Sequence, residues 1–278
     1  MKLPYMTPLL GFAFTFAALS LAGPQAQGAL LISDNFETAD SGLTDNNDLA
    51  ARQAGSLAPT NWTNAKAAHQ IVNGNVQSNE GSTTSGRAYF NRNFIDTAIT
   101  DAGGFIVEYD FISGNTNTGD WIMLGLGLAG GSGGTQSNNS NLAGIVDFGL
   151  LLQGNGNFQV FQGGSQATGG IAMPSIVQGE ENAVELTIAT SSFAGGSTAT
   201  VTATVNGTAI ALNGGDPDTD LTYPWDDEVE NRIVWESNQT VHAFDNVAIS
   251  TIPEPGSAAL MLSGAAMLLL RSRRTTAE

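Results

Sequence analysis

The stretch "ATVTATVNGTAIAL", residues 199–212, decides the fold. Val201, Ala203 and Val205 alternate with Thr200, Thr202 and Thr204. A period of two puts the apolar side chains on one face of a strand and the hydroxyls on the other. Asn206-Gly207 follows, a pair that readily takes the positive φ of a two-residue hairpin turn. The stretch therefore reads as a half-buried strand that turns back on itself. "GFIVEYDFIS", residues 104–113, repeats the pattern. Phe105, Val107, Tyr109 and Phe111 point one way, and Ile106, Glu108 and Asp110 point the other, as in an antiparallel sheet with one wet face.

Outward from these two runs the body continues in the same style. "GALLISDNF" (28–36), "HQIVNGNVQS" (69–78), "GRAYFNRNF" (86–94), "DWIMLGLGLA" (120–129), "AGIVDFGLLLQ" (143–153) and "GNFQVFQGG" (156–164) are rich in Val, Ile, Leu and Phe. So are "NAVELTIATS" (182–191), "NRIVWES" (231–237) and "TVHAFDNVAIS" (240–250). Gly, Asn, Asp and Ser bound them, which is strand punctuation. About a dozen such runs over roughly 220 residues, with no helices between them, exclude parallel βαβ units. They predict an all-β protein built as a two-sheet antiparallel sandwich of the jelly-roll kind. The polar, glycine-rich segments 129–141, 163–170 and 213–220 read as exposed connections.

The chain has 278 residues, no cysteine and a formal charge of −17. Without cysteine there is no disulfide framework, thiol catalysis or Cys-based metal site. Between its two ends the chain carries only Arg52, Lys66, Arg87, Arg92 and Arg232 against many more acids. Such a surface repels nucleic acid and anionic lipid, both of which need clustered cations. A nucleic-acid partner is therefore excluded.

The ends have a different composition. Residues 1–28 combine Lys2, an apolar run from Leu9 to Leu21, and Ala26 and Gly28 at the −3 and −1 positions of a cleavage after Gly28. That is the pattern of a secretory signal peptide. At the other end stand Pro253, Glu254 and Pro255, an apolar run from Gly256 to Leu270, then Arg271, Arg273 and Arg274. The prolines cannot continue a strand. The run favours helix and spans roughly 22 Å against about 30 Å of hydrocarbon, short but within reach of snorkelling arginines. Basic residues after an apolar segment stay cytoplasmic. The expected domains are thus 1–28 signal peptide, 29–251 β-sandwich and 252–275 sorting signal, with a helix at each terminus.

Two resemblances follow. "LISDNFE", "GFIVEYDFISG", "DWIMLGLGL" and "VHAFDNVAIS" resemble the concanavalin A-like lectin/glucanase sandwiches. The Pro-Glu-Pro, apolar run and arginine cluster resemble the PEP-CTERM sorting signal of Gram-negative bacteria. That resemblance implies an exosortase-type processing enzyme as partner and the inner membrane as a sorting intermediate. It further implies export to the cell surface or extracellular matrix and association with exopolysaccharide.

Chemistry in the body is sparse. Glu108 and Asp110 share one strand face, yet the glucanase-type third carboxylate is absent downstream, so the pair lacks its acid/base partner. Asp216, Asp218 and Asp220 alternate as in calcium loops, but Leu221 stands where an EF-hand needs glycine. A looser Ca2+ site remains beside the heavier reading of a solvated acidic loop. Tyr223 and Trp225 could stack on a sugar ring, against the heavier reading of core packing. Trp62, Trp121 and Trp235 are expected in the core, and His242 as a packed residue. The expectation is an exported surface or matrix protein that is not an enzyme and has no required cofactor. The alternative is a carbohydrate-binding module, and behind it a glycan hydrolase.

Overall fold

The computed structural model describes residues 28–37, 62–66, 69–72, 74–78, 86–90, 97–114, 121–128, 146–173, 176–214, 221–225, 233–238 and 242–253. Glu254, Pro255, the three terminal arginines, Asp216, Asp218, Asp220, loop 129–141 and both expected terminal helices lie outside these residues. Among the described residues no helix is long and apolar enough to cross a membrane.

The chain forms two antiparallel sheets face to face, as expected. The nine-stranded sheet holds β1 (Leu30–Asp34), β3 (His69–Val72), β4 (Asn75–Ser78), β6 (Gly104–Ile112), β11 (Glu181–Thr190), β12 (Ser197–Val205), β13 (Thr208–Ala209), β14 (Leu221–Trp225) and β16 (Ala243–Thr251). Its order is β13-β12-β11-β6-β16-β4-β3, with β1 also on β16 and β14 also on β12. The seven-stranded sheet runs β10 (Ser165–Ala172), β9 (Asn157–Gln162), β8 (Val146–Gln153), β7 (Trp121–Leu128), β15 (Ile233–Asn238), β5 (Gly86–Phe90) and β2 (Trp62–Lys66).

Alternation sets which face is buried. On β12, Ala199, Val201, Ala203 and Val205 are buried while Thr202 is exposed. Asn206 (φ 51°) and Gly207 (φ 72°) make the expected hairpin turn, and Val205 pairs with Thr208. Beyond the two-residue β13, Ile210 and Leu212 drop into the core. On β6, Phe105, Val107, Tyr109 and Phe111 are buried. The opening strands of the fold also bind the two sheets. Trp62 Nε1 on β2 donates to Asp34 Oδ2 at the end of β1 (2.9 Å), and the Phe36 N–H donates to Asp34 Oδ1 (2.9 Å).

Three departures from the sequence reading have physical reasons. Segment 163–170, expected as a loop, is mostly strand β10, which pairs with β9 through two register shifts. Its residues are nearly all exposed, so backbone pairing and not burial makes it a strand, and no apolar alternation announces it. A short helix, α1 (Thr97–Ala102), buries only Ile99 and precedes β6. Trp62 and Trp235 lie in the core as expected. Trp121 is half-buried, packed with Phe161 against a second apolar cluster of Met123, Val146, Leu151 and Val234.

Candidate functional site: a carboxylate-lined face

With Val107, Tyr109 and Phe111 turned into the core, β6 must present Glu108 and Asp110 outward. Register then decides their neighbours. Glu185 of β11 lies opposite Glu108, and Thr204 of β12 lies opposite Glu185. On the other flank, β16 sets Asp245 opposite Asp110 and Ala248 opposite Glu108. Directly opposed residues have Cβ atoms about 4.5–5.5 Å apart, so these side chains meet. The third carboxylate that β6 lacks in sequence is supplied in space by the adjoining strands.

Between Asp245 and Ala248 the pairing with β6 shifts, which is a β-bulge. Asn246 sits in it with φ 49°, a left-handed conformation that asparagine adopts more readily than most residues. The Asn246 N–H donates to Asp245 Oδ1 (2.7 Å), and Asn246 Nδ2 donates to Asp110 Oδ2 (2.7 Å). The bulge thereby aims an exposed amide across the strand at an acid it would otherwise pass. Glu108, Asp110, Glu185, Thr204, Asn246 and Ala248 line a shallow hollow of about 340 Å³.

The electrostatics follow from crowding. Burial, and secondarily the Glu185 carboxylate, raises the Glu108 carboxyl above its ordinary range. Asp245 is only 7% exposed. Burial is the main cause that pushes it up to about 7; the Asn246 N–H pulls the other way, and Glu181, Asp110 and Glu37 add to the rise. Chemically the hollow is a set of acceptors with a threonine hydroxyl and one amide, suited to a ligand rich in O–H or N–H donors.

The other expected site residues fare differently. Tyr223 and Trp225 cannot stack on a sugar. They sit on β14, paired to β12, with their rings inside the core at 1% and 0% exposure. Tyr223 packs on Phe148 (5.5 Å between ring centroids), and burial, then Asp147, raises its hydroxyl well above the ordinary phenol range. Strand alternation turns Leu221, Tyr223 and Trp225 inward together and leaves Thr222 and Pro224 outside. His242 is fully buried, packs on Phe111 and accepts the Gly114 N–H at Nδ1 (3.2 Å). Among the described residues no three acidic, histidine or cysteine side chains converge on a metal position. Pro253 is exposed at the end of the described body. Glu185, Asp245 and Asn246 were not singled out in sequence.

No family model matches the chain, and no curated protein matches it. Among solved structures, Trypanosoma rangeli sialidase in complex with sialic acid is 13% identical, covering 80% of this chain and 30% of that one, with a TM-score of 0.48. The Caenorhabditis elegans galectin LEC-6 is 11% identical, covering 53% of this chain and 82% of that one, with a TM-score of 0.32. The carbohydrate-binding module CBM66 from Bacillus subtilis is 11% identical, covering 68% and 95%, with a TM-score of 0.40. The chain thus spans 30% of the length of the sialidase it resembles. The similar structures also include a sialidase mutant displaying trans-sialidase activity. The expectation that the chain is not an enzyme is thereby contradicted by similar structures that are enzymes, a likeness of fold alone. Its physical basis falls too, because Glu185 and Asp245 stand where β6 alone offered no partner.

Proposed function

We propose that the chain is an exported surface or matrix protein whose lectin-like sandwich binds a carbohydrate on the outer face of β6, β11, β12 and β16. One observation carries this reading: the hollow in which Glu108, Asp110, Glu185, Thr204 and Asn246 converge. Its acceptors match sugar hydroxyls, and its acidity favours neutral or amine-bearing glycans over anionic ones. A glycan array on the purified protein tests it. Wild type is expected to retain at least one such glycan, and Glu185→Gln to weaken it about tenfold, the worth of one charge-assisted hydrogen bond. Retention of no sugar by wild type overturns the proposal. A reducing-sugar assay on the retained glycan reads cleavage separately. Turnover abolished by Glu108→Gln makes the raised carboxyl of Glu108 a general acid paired with Glu185.

The route to the surface rests on the tail. Pro253, Glu254 and Pro255, the apolar run and Arg271, Arg273 and Arg274 support a PEP-CTERM signal, cut by an exosortase-type enzyme after a stay in the inner membrane. The signal peptide at 1–28 supports export, and the two signals bracket the body. Deleting residues 253–255 is expected to leave an uncut chain in the membrane fraction, where wild type loses its C-terminal mass. Equal processing of both chains overturns the sorting role.

A further inference from the structure

β16 is the junction of the larger sheet. One of its edges pairs with β6, and the other takes β4 at Ala243–Phe244 and β1 at Val247–Ser250. The bulge at Asn246 lies between these two partners. Its conformation depends on two hydrogen bonds that reach two acids, Asp245 and Asp110.

Among the described residues, the ionisable groups that act on Asp245 are of one sign. From β6 comes Asp110, with Glu108 one pair further along. From β11 comes Glu181, with Glu185 beyond it. From the turn after β1 comes Glu37. Asp34, on β1, is turned to Trp62 Nε1 and the Phe36 N–H. β4 brings no ionisable residue, being Asn75–Ser78.

We propose that the β16 bulge is a pH-responsive joint, in which neutral Asp245 keeps the β1 and β4 edge closed and ionised Asp245 loosens it. When Asp245 is neutral, Asn246 bridges it to Asp110 without repulsion between the two acids. When Asp245 ionises, a 7%-exposed charge is held beside Asp110, Glu181 and Glu37, and the bulge that carries Asn246 absorbs the strain. The sign follows from a folded-state value near 7 against an ordinary 3.8. The contribution to stability is complete below the ordinary carboxylate range, declines as the pH rises above it, and is gone above about 7. The joint does not depend on whether the hollow takes a sugar.

The full chain tests this by carboxyl NMR titration and amide exchange. Asp245 is expected to titrate with a midpoint near 7. Protection of the β1 and β4 amides, corrected for intrinsic exchange, is expected to fall about tenfold between pH 5.5 and 8 while β8 stays protected. In Asp245→Asn the fall disappears, since the amide side chain can still accept the Asn246 N–H without titrating. An Asp245 midpoint in the ordinary carboxylate range, or an equal loss of protection in Asp245→Asn, overturns the proposal. The wild-type titration decides the matter even if the variant does not fold.

Discussion

Phe244→Ala is expected to lower the unfolding free energy by about 3–5 kcal/mol, the usual cost of emptying a buried aromatic site. Phe244 has no exposed surface. It stacks on Trp235 at 5.4 Å between centroids and 14° between planes, and meets Phe36 edge-on at 5.7 Å. Trp62 lies 6.1 Å away and itself packs on Trp235 at 5.3 Å. These rings come from both layers: Phe244 from β16 and Phe36 beside β1, Trp235 from β15 and Trp62 from β2. Removing the phenyl therefore leaves a cavity between the sheets, not at a rim. For a body of this size the Tm should fall by about 6–20 °C. Thr202→Ala, on the exposed face of β12, should change stability by under about 0.5 kcal/mol. Calorimetry on both variants checks the pair. A Phe244→Ala loss no larger than that of Thr202→Ala would refute the placement of the core.

The second large effect is expected at Asn182, which is completely buried. Its Nδ2 donates to the carbonyls of Val177 (2.8 Å), Glu180 (2.8 Å) and Phe111 (3.3 Å). Its Oδ1 accepts from the Val177 N–H (2.7 Å) and from Asn206 Nδ2 (3.0 Å). One amide thus ties the turn before β11 to β6 and to the β12–β13 hairpin. Asn182→Ala strands several buried polar groups at once, each costing about 1–3 kcal/mol if unsatisfied. Partial relaxation brings the expected loss to about 2–4 kcal/mol. Asn206→Gly keeps the positive φ of the turn and gives up only the bonds of one exposed side chain. Urea denaturation should therefore rank Asn182→Ala well below Asn206→Gly. The reverse order would mean that the hairpin, and not the buried amide, holds this end of the sheet.

The layers of the molecule were legible where alternation was strong. β12 and β6 each show it over most of their length, and the Asn-Gly turn names its own geometry. β10 was not legible, because an exposed edge strand needs no apolar face and its glycines look like loop. The rings of Tyr223 and Trp225 lie in the core, the heavier of the two sequence readings, and not on a sugar-binding rim as their acidic, proline-containing surroundings also allowed. The period of two in "LTYPW" was the stronger signal, and Pro224 is tolerated at its outward position because β14 lies at the sheet edge. The candidate site was half legible. Glu108 and Asp110 share a face by parity alone. Their partners Glu185 and Asp245 are neighbours only through register, which is fixed by long-range pairing and not by local sequence.

The pairing of β1 with β16 has a consequence for biogenesis. Ala29 and Thr251, joined by a hydrogen bond, stand 222 positions apart along the chain. Contacts of such separation form late, since the entropy of closing so large a loop must be met before they contribute. A chain still emerging from the ribosome has no β16 to complete its larger sheet. Closure of that sheet therefore waits until almost the whole body has been made.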